Sequence, residues 1–97
     1  MLNDLKIKVL IINAEKFQFN NDKTGEVVEL CKVVYAIPLE NTENFVGGAI
    51  FEAYSHVKHF ENVSKYAFKH SDVLLEQRPQ KNGVKYYLKQ VDNYKCI

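Results

Sequence analysis

Three observations predict a mainly β domain, a five-stranded OB-like barrel with one helix between strands three and four. Strand-like runs alternate lysines with aromatic and β-branched residues, the stretch between His56 and His70 changes to helical apolar spacing, and the chain closes on a glycine-bearing hairpin. The resulting β-β-β-helix-β-β order is that of a small barrel of the OB type. At 97 residues the chain holds one core, so residues 1–97 are expected to form a single domain.

Strand one is expected over Lys6–Asn13, where Ile7, Val9 and Ile11 share one face and Lys6 and Lys8 take the other before Leu10 and Ile12. Its second half reads as buried on both sides. Ala14–Phe19 continues the strand past a bend, with Phe17 and Phe19 on one side and Lys16 and Gln18 opposite. Asn20–Gly25 then forms a polar turn. Strand two runs over about Glu26–Leu39 and is rich in Val and Ile; Pro38, which has no N–H to give a ladder, suits its end. After the acidic loop Glu40–Asn44, Phe45-Val46 and the pair Gly47-Gly48 mark a turn or bulge at the entry to strand three, Ala49–Ser55. Val57, Phe60, Val63 or Ser64, Ala67 and Phe68 then fit one face of a helix of about three turns. Ser71-Asp72 resets the pattern. The last hairpin is Leu74–Pro79, Gln80-Lys81-Asn82-Gly83, Val84–Val91, in which Asn82-Gly83 favours the positive backbone angles of a tight turn. The tail Asn93–Ile97 is expected to fray.

Composition bounds the function. An apolar fraction of 46% with six Phe and six Tyr suits a packed domain, and a net charge of +1 provides no global positive field. The charge is unevenly spread. Residues 1–48 hold five lysines against seven acids, whereas residues 49–97 hold seven lysines and one arginine against five acids. Cys31, inside an apolar strand, and Cys96, next to the last residue, read as reduced thiols rather than a disulfide framework, which points to the cytoplasm. Lys6–Ile12 is too short and too lysine-punctuated for a membrane span or signal region.

No catalytic signature is present in the sequence. His56 and His59 would lie one turn apart on a helix, but His70 is remote and neither cysteine has ligand spacing, so no metal is expected. No Ser or Cys sits in a nucleophile elbow, and Gly47-Gly48 lacks the lysine and hydroxyl that follow a phosphate-cradling loop. The expected protein is not an enzyme and needs no cofactor.

Mixtures of aromatics and cations are the remaining signal. Single strands are held by aromatic faces that stack bases, at roughly 1–3 kcal/mol per base, and by cations that follow the phosphates. Such mixtures occur as Lys16, Phe17 and Phe19 with Lys23 in the first hairpin, Lys32 with Tyr35 on strand two, and Arg78, Lys81, Lys85, Tyr86, Tyr87 and Lys89 around the last hairpin. In the last strand, alternation sets Lys85, Tyr87 and Lys89 on one face. The same lysines and Arg78 also suit a solvated face, and two Phe on one strand face also suit a core.

The opening Ile7-Lys8-Val9, the Phe17-Gln18-Phe19 run before a glycine-bearing polar loop, the segment Glu29-Leu30-Cys31-Lys32-Val33, and the final glycine hairpin with Lys89 in its outgoing strand resemble the small single-stranded-DNA-binding, helix-destabilising proteins of filamentous phages and mobile elements. That resemblance implies an OB-type barrel that dimerises and coats single strands, with Lys89 at a phosphate. This chain has Lys32 where the family sets an aromatic after the Leu-Cys pair, and its last hairpin has no aromatic at the tip. Tyr35 and Tyr87 are therefore assigned from their own spacing.

The expected function is non-sequence-specific binding of single-stranded DNA, or RNA, by a homodimer in phage or plasmid replication or transfer. The expected binding residues are Lys8, Lys16, Phe17, Phe19, Lys32, Tyr35, Arg78, Lys81, Lys85, Tyr87 and Lys89. The alternative is a protein-interaction module, an accessory or inhibitor protein that docks through a sheet edge or the helix His56–Lys69, consistent with the near-neutral charge and the acidic loop.

Overall fold

The computed structural model describes residues 3–44 and 46–96. In chain order the elements are β1 (Asn3–Asn20), β2 (Val27–Pro38), β3 (Gly48–His56), a 3₁₀ turn (Val57–His59), α1 (Phe60–Ser64), β4 (His70–Gln80), β5 (Gly83–Val91) and β6 (Tyr94–Lys95). The sheet order is β3-β2-β1-β4-β5-β6, and a parallel bridge between Tyr54 and Tyr87 joins β3 to β5. Five strands thereby close into an OB-like barrel, with the short helix between β3 and β4 as expected. Every other pairing is antiparallel.

Alternation along the strands builds the core. Val9 and Ile11 of β1, Cys31, Val33 and Tyr35 of β2, Ala53 of β3, Val73 and Leu75 of β4, and Leu88 and Val91 of β5 are buried together, and Val63 of α1 closes one end. The two cysteines are free thiols. Burial pushes the Cys96 thiol up to about 11, with Cys31 adding to the shift.

A bulge in β1 decides which residues face outward. Ile11 pairs with Tyr35 but Asn13 pairs with Val34, so Ile12 has no partner on β2. One extra residue reverses the parity of everything that follows. Before the bulge the odd-numbered Val9 and Ile11 point inward; after it Ala14 packs on the core, while Glu15, Phe17 and Phe19 turn out. This is the bend expected after Asn13. The β1–β2 turn carries Gly25 at φ 73°, with Asn21 donating to the Glu26 carbonyl at 2.8 Å. At the β2–β3 connection Gly48 is a steric necessity, because a Cβ there would collide with the Ile37 carbonyl.

Three local expectations are corrected. The predicted three-turn helix is a 3₁₀ turn plus five residues of α-helix. The chain is pulled away after Ser64, because the Phe68 N–H donates to the Ile11 carbonyl at 2.6 Å and the Ile11 N–H donates to the Lys69 carbonyl at 3.0 Å. Phe68, expected on the apolar helix face, is consequently 80% exposed and held at φ 63°. Strand four begins at His70, not at Leu74. The tail does not fray as predicted: Tyr94–Lys95 pairs with β5, and the Cys96 N–H donates to the Lys89 carbonyl at 2.8 Å. Phe45 and Ile97 lie outside the described residues.

Candidate nucleic-acid interface

The outer face of β1 beyond the bulge continues across β2 and β3 to β5. Register places Glu15 opposite Lys32, Phe17 opposite Leu30, Lys32 opposite Tyr54, and Tyr54 beside Tyr87. Four rings form a row on this face. Phe19 and Phe17 have centroids 6.0 Å apart, Phe17 and Tyr54 6.3 Å, and Tyr54 and Tyr87 6.5 Å, with adjacent rings tilted by 37°, 55° and 53°. Because the rings are tilted rather than stacked, their π-faces are not consumed by one another. Phe17 and Phe19 remain 37% and 40% exposed.

Cations are interleaved with the rings. The Lys32 Nζ lies 5.3 Å from the Phe17 centroid, the Lys85 Nζ lies 4.6 Å from Tyr54 and 5.6 Å from Tyr87, and the Arg78 guanidinium lies 4.0 Å from Tyr87. Attraction to the ring quadrupoles holds each charge on the row rather than letting it trail into solvent. Carboxylates tether three of the candidate cations. Lys32 pairs with Glu15 at 2.8 Å, Arg78 pairs with Glu76, and Lys89 pairs with Asp4 at 3.0 Å. The Glu15 hydrogen bond raises the Lys32 pKa, keeping it charged. Lys85 pairs with no carboxylate among the described residues. The Tyr54 hydroxyl donates to Glu52 at 2.9 Å, and burial followed by that contact raises its pKa.

The sequence-predicted residues separate into groups. Phe17, Phe19, Lys32, Arg78, Lys85 and Tyr87 converge on the row. Lys89 lies on the same strand beyond Tyr87, at the point where the β4–β5 register shifts. Lys81 is exposed in the two-residue turn between Gln80 and Gly83, where Gly83 has φ 141°. Lys16 is separated from its neighbours Phe17 and Phe19 by parity and sits 5.3 Å from the Phe60 ring. Lys8 is exposed on the β1–β4 half, opposite Asp72. Tyr35 is a correction: it is 3% exposed, stacks on Phe51 at 5.9 Å, and offers no face to a ligand. Its three-residue spacing from Lys32 puts the two on opposite faces of a strand. Burial pushes its hydroxyl up to about 12.

Tyr54, at the centre of the row, was not singled out from the sequence. The signal was present in strand three, where Ile50, Glu52, Tyr54 and His56 alternate with Ala49, Phe51, Ala53 and Ser55. Among the described residues no cluster of three His, Cys, Asp or Glu could hold a metal, and no helix is long and apolar enough to cross a membrane. The chain matches no protein-family model, no curated protein and no solved structure.

Proposed function

We propose that the protein binds single-stranded DNA through the outer face of β1, β2, β3 and β5. The row Phe19–Phe17–Tyr54–Tyr87 with Lys32, Lys85 and Arg78 set on its rings carries the reading. The ring faces that the cations leave open accept a base of any identity, while Lys85 meets a phosphate directly and Lys32 and Arg78 do so by exchanging Glu15 and Glu76 for it. Binding is stoichiometric: a protein that prefers the single strand draws a duplex toward melting by mass action. In this reading the chain is not an enzyme and acts in the cytoplasm without a cofactor, in phage or plasmid replication or transfer. The homodimer implied by the resemblance to helix-destabilising proteins belongs to the same reading, with Lys89 exchanging Asp4 for a phosphate.

Labelled oligo(dT) of about 12 nucleotides, a length suited to one OB-type site, should bind more tightly than a matched duplex, with affinity that falls as salt rises. Fluorescence anisotropy at two salt concentrations makes the measurement. Equal binding of duplex and single strand, or none at micromolar protein and low salt, rejects the reading.

A protein-docking role is favoured by one observation, the exposed apolar residues Leu39, Val46 and Ile50 at the β2–β3 end of the barrel. The helix α1 is too short to serve it and directs Val63 inward.

A further inference from the structure

The row ends at a cavity. β3 and β5 are joined by the single bridge Tyr54–Tyr87, and beside that bridge the seam opens into a space of about 240 Å³. Tyr54 and Tyr87 line it, so a strand lying on the row passes its mouth. Leu30 and Leu88 give it apolar walls. Its volume is below the roughly 300–1,000 Å³ of pockets for drug-sized ligands and suits one planar ring.

Two polar groups in this cavity are unusual. Ser55 is 6% exposed, and its hydroxyl has no oxygen or nitrogen partner among the described residues, its one polar neighbour being the Cys31 thiol, a weak donor and acceptor. A buried hydroxyl without a strong partner is destabilising; Ser71 shares that condition, and Ser55 differs from it in lining this cavity, where a ligand can supply the bond. Glu76 is 7% exposed; Arg78 engages its Oε2, while the other carboxylate oxygen makes no hydrogen bond among the described residues and keeps access to solvent through the cavity.

We propose that this cavity takes one base of the bound strand and selects one bearing an exocyclic amino group. The inference rests on the reading of the row as a single-strand site. A carboxylate only accepts hydrogen bonds. Cytosine, adenine and guanine present an amino group to it, with the Ser55 hydroxyl free to pair with a neighbouring ring nitrogen or carbonyl. Thymine has one N–H to give the carboxylate, and its two flanking carbonyl oxygens are then pressed against the negative charge; Arg78 and Lys89, which also line the cavity, are held by Glu76 and Asp4 and not turned to those oxygens. Binding is thus sequence-tolerant along the row and selective at the seam.

The test compares oligo(dT) of about 12 nucleotides with the same strand carrying one central dC, by anisotropy under identical salt. The dC strand should bind about tenfold more tightly, in the range of one well-placed base contact. Ser55→Ala should shrink that preference while leaving oligo(dT) affinity unchanged and the melting temperature unchanged or raised, since an unpaired hydroxyl is removed. Glu76→Gln, whose amide can also donate, should bring the two strands to equal affinity. Equal affinity of the native protein for both strands overturns the base cavity while leaving the row intact. A preference that survives in Ser55→Ala and Glu76→Gln also overturns it. Failure of oligo(dT) and the dC strand alike to bind overturns the row and the cavity together.

Discussion

The two halves of β1 belong to one barrel and present opposite chemistry. Before Ile12 the strand sends Val9 and Ile11 into the core and leaves Lys8 facing Asp72 on the β1–β4 side. After Ile12 the parity is reversed, and Phe17 and Phe19, which share odd numbering with Val9 and Ile11, stand on the surface against Tyr54. One unpaired residue therefore moves two phenylalanines from where hydrophobicity alone would put them to where a ligand can reach them. The difference is chemical as well as geometric: the second half lies in a field of rings and cations, the first in a field of mixed charge.

The strongest way to break this comparison is the double change Phe17→Ala with Phe19→Ala. If both rings serve binding, affinity for oligo(dT) falls by at least tenfold, from roughly 1–3 kcal/mol per stacked base, while urea denaturation shows a loss of under about 2 kcal/mol. If they are core residues, unfolding free energy instead falls by about 3–5 kcal/mol for each. A large stability loss with unchanged affinity would erase the distinction between the two halves of β1.

Lysines on the two sides sharpen it further. Lys85→Ala should weaken binding a few-fold and reduce the slope of log affinity against log salt by about 0.7, the value of one phosphate contact on a single strand. Lys8→Ala, at the other end of the comparison, should leave both affinity and slope unchanged. Equal effects from the two changes would show that charge alone, without the aromatic face, determines binding.

The smallest effect concerns the 3₁₀ turn that follows β3. His59 is buried, with Nδ1 2.7 Å from the Tyr94 hydroxyl, and burial together with Lys58 and His56 lowers its pKa below the ordinary value of 6.5. A lowered folded-state pKa means that the unfolded chain binds the proton more readily. His59 therefore costs no stability above pH 6.5 and destabilises the fold as the pH falls below that value toward its folded-state pKa. Melting temperature should drop between pH 7.5 and 5.5 more in the native protein than in His59→Gln, and an identical drop in both would remove His59 as the cause.

How far the sequence reaches can be traced residue by residue. The strands, the two hairpins and the bend after Asn13 were legible because period-2 alternation, glycine and polar turn residues are local signals. The barrel followed from their order. Tyr35 is close to Lys32 in sequence but on the opposite face of the strand, and the place of Tyr54 arises only when β3 registers Lys32 opposite it and β5 brings Tyr87 alongside. The shortened helix was not legible at all: the two backbone hydrogen bonds from Ile11 that claim Phe68 and Lys69 are tertiary. The same holds for the tethering of Lys89 by Asp4, a contact across 85 residues of chain.

Titration of the ¹⁵N-labelled protein with oligo(dT), followed by backbone amide shifts, tests the central claim most directly. The account predicts that the largest changes cluster at Phe17, Phe19, Lys32, Tyr54, Lys85 and Tyr87 while Lys6, Lys8 and Asp72 stay in place. Shifts centred on the β1–β4 face, with the aromatic row unmoved, would contradict it.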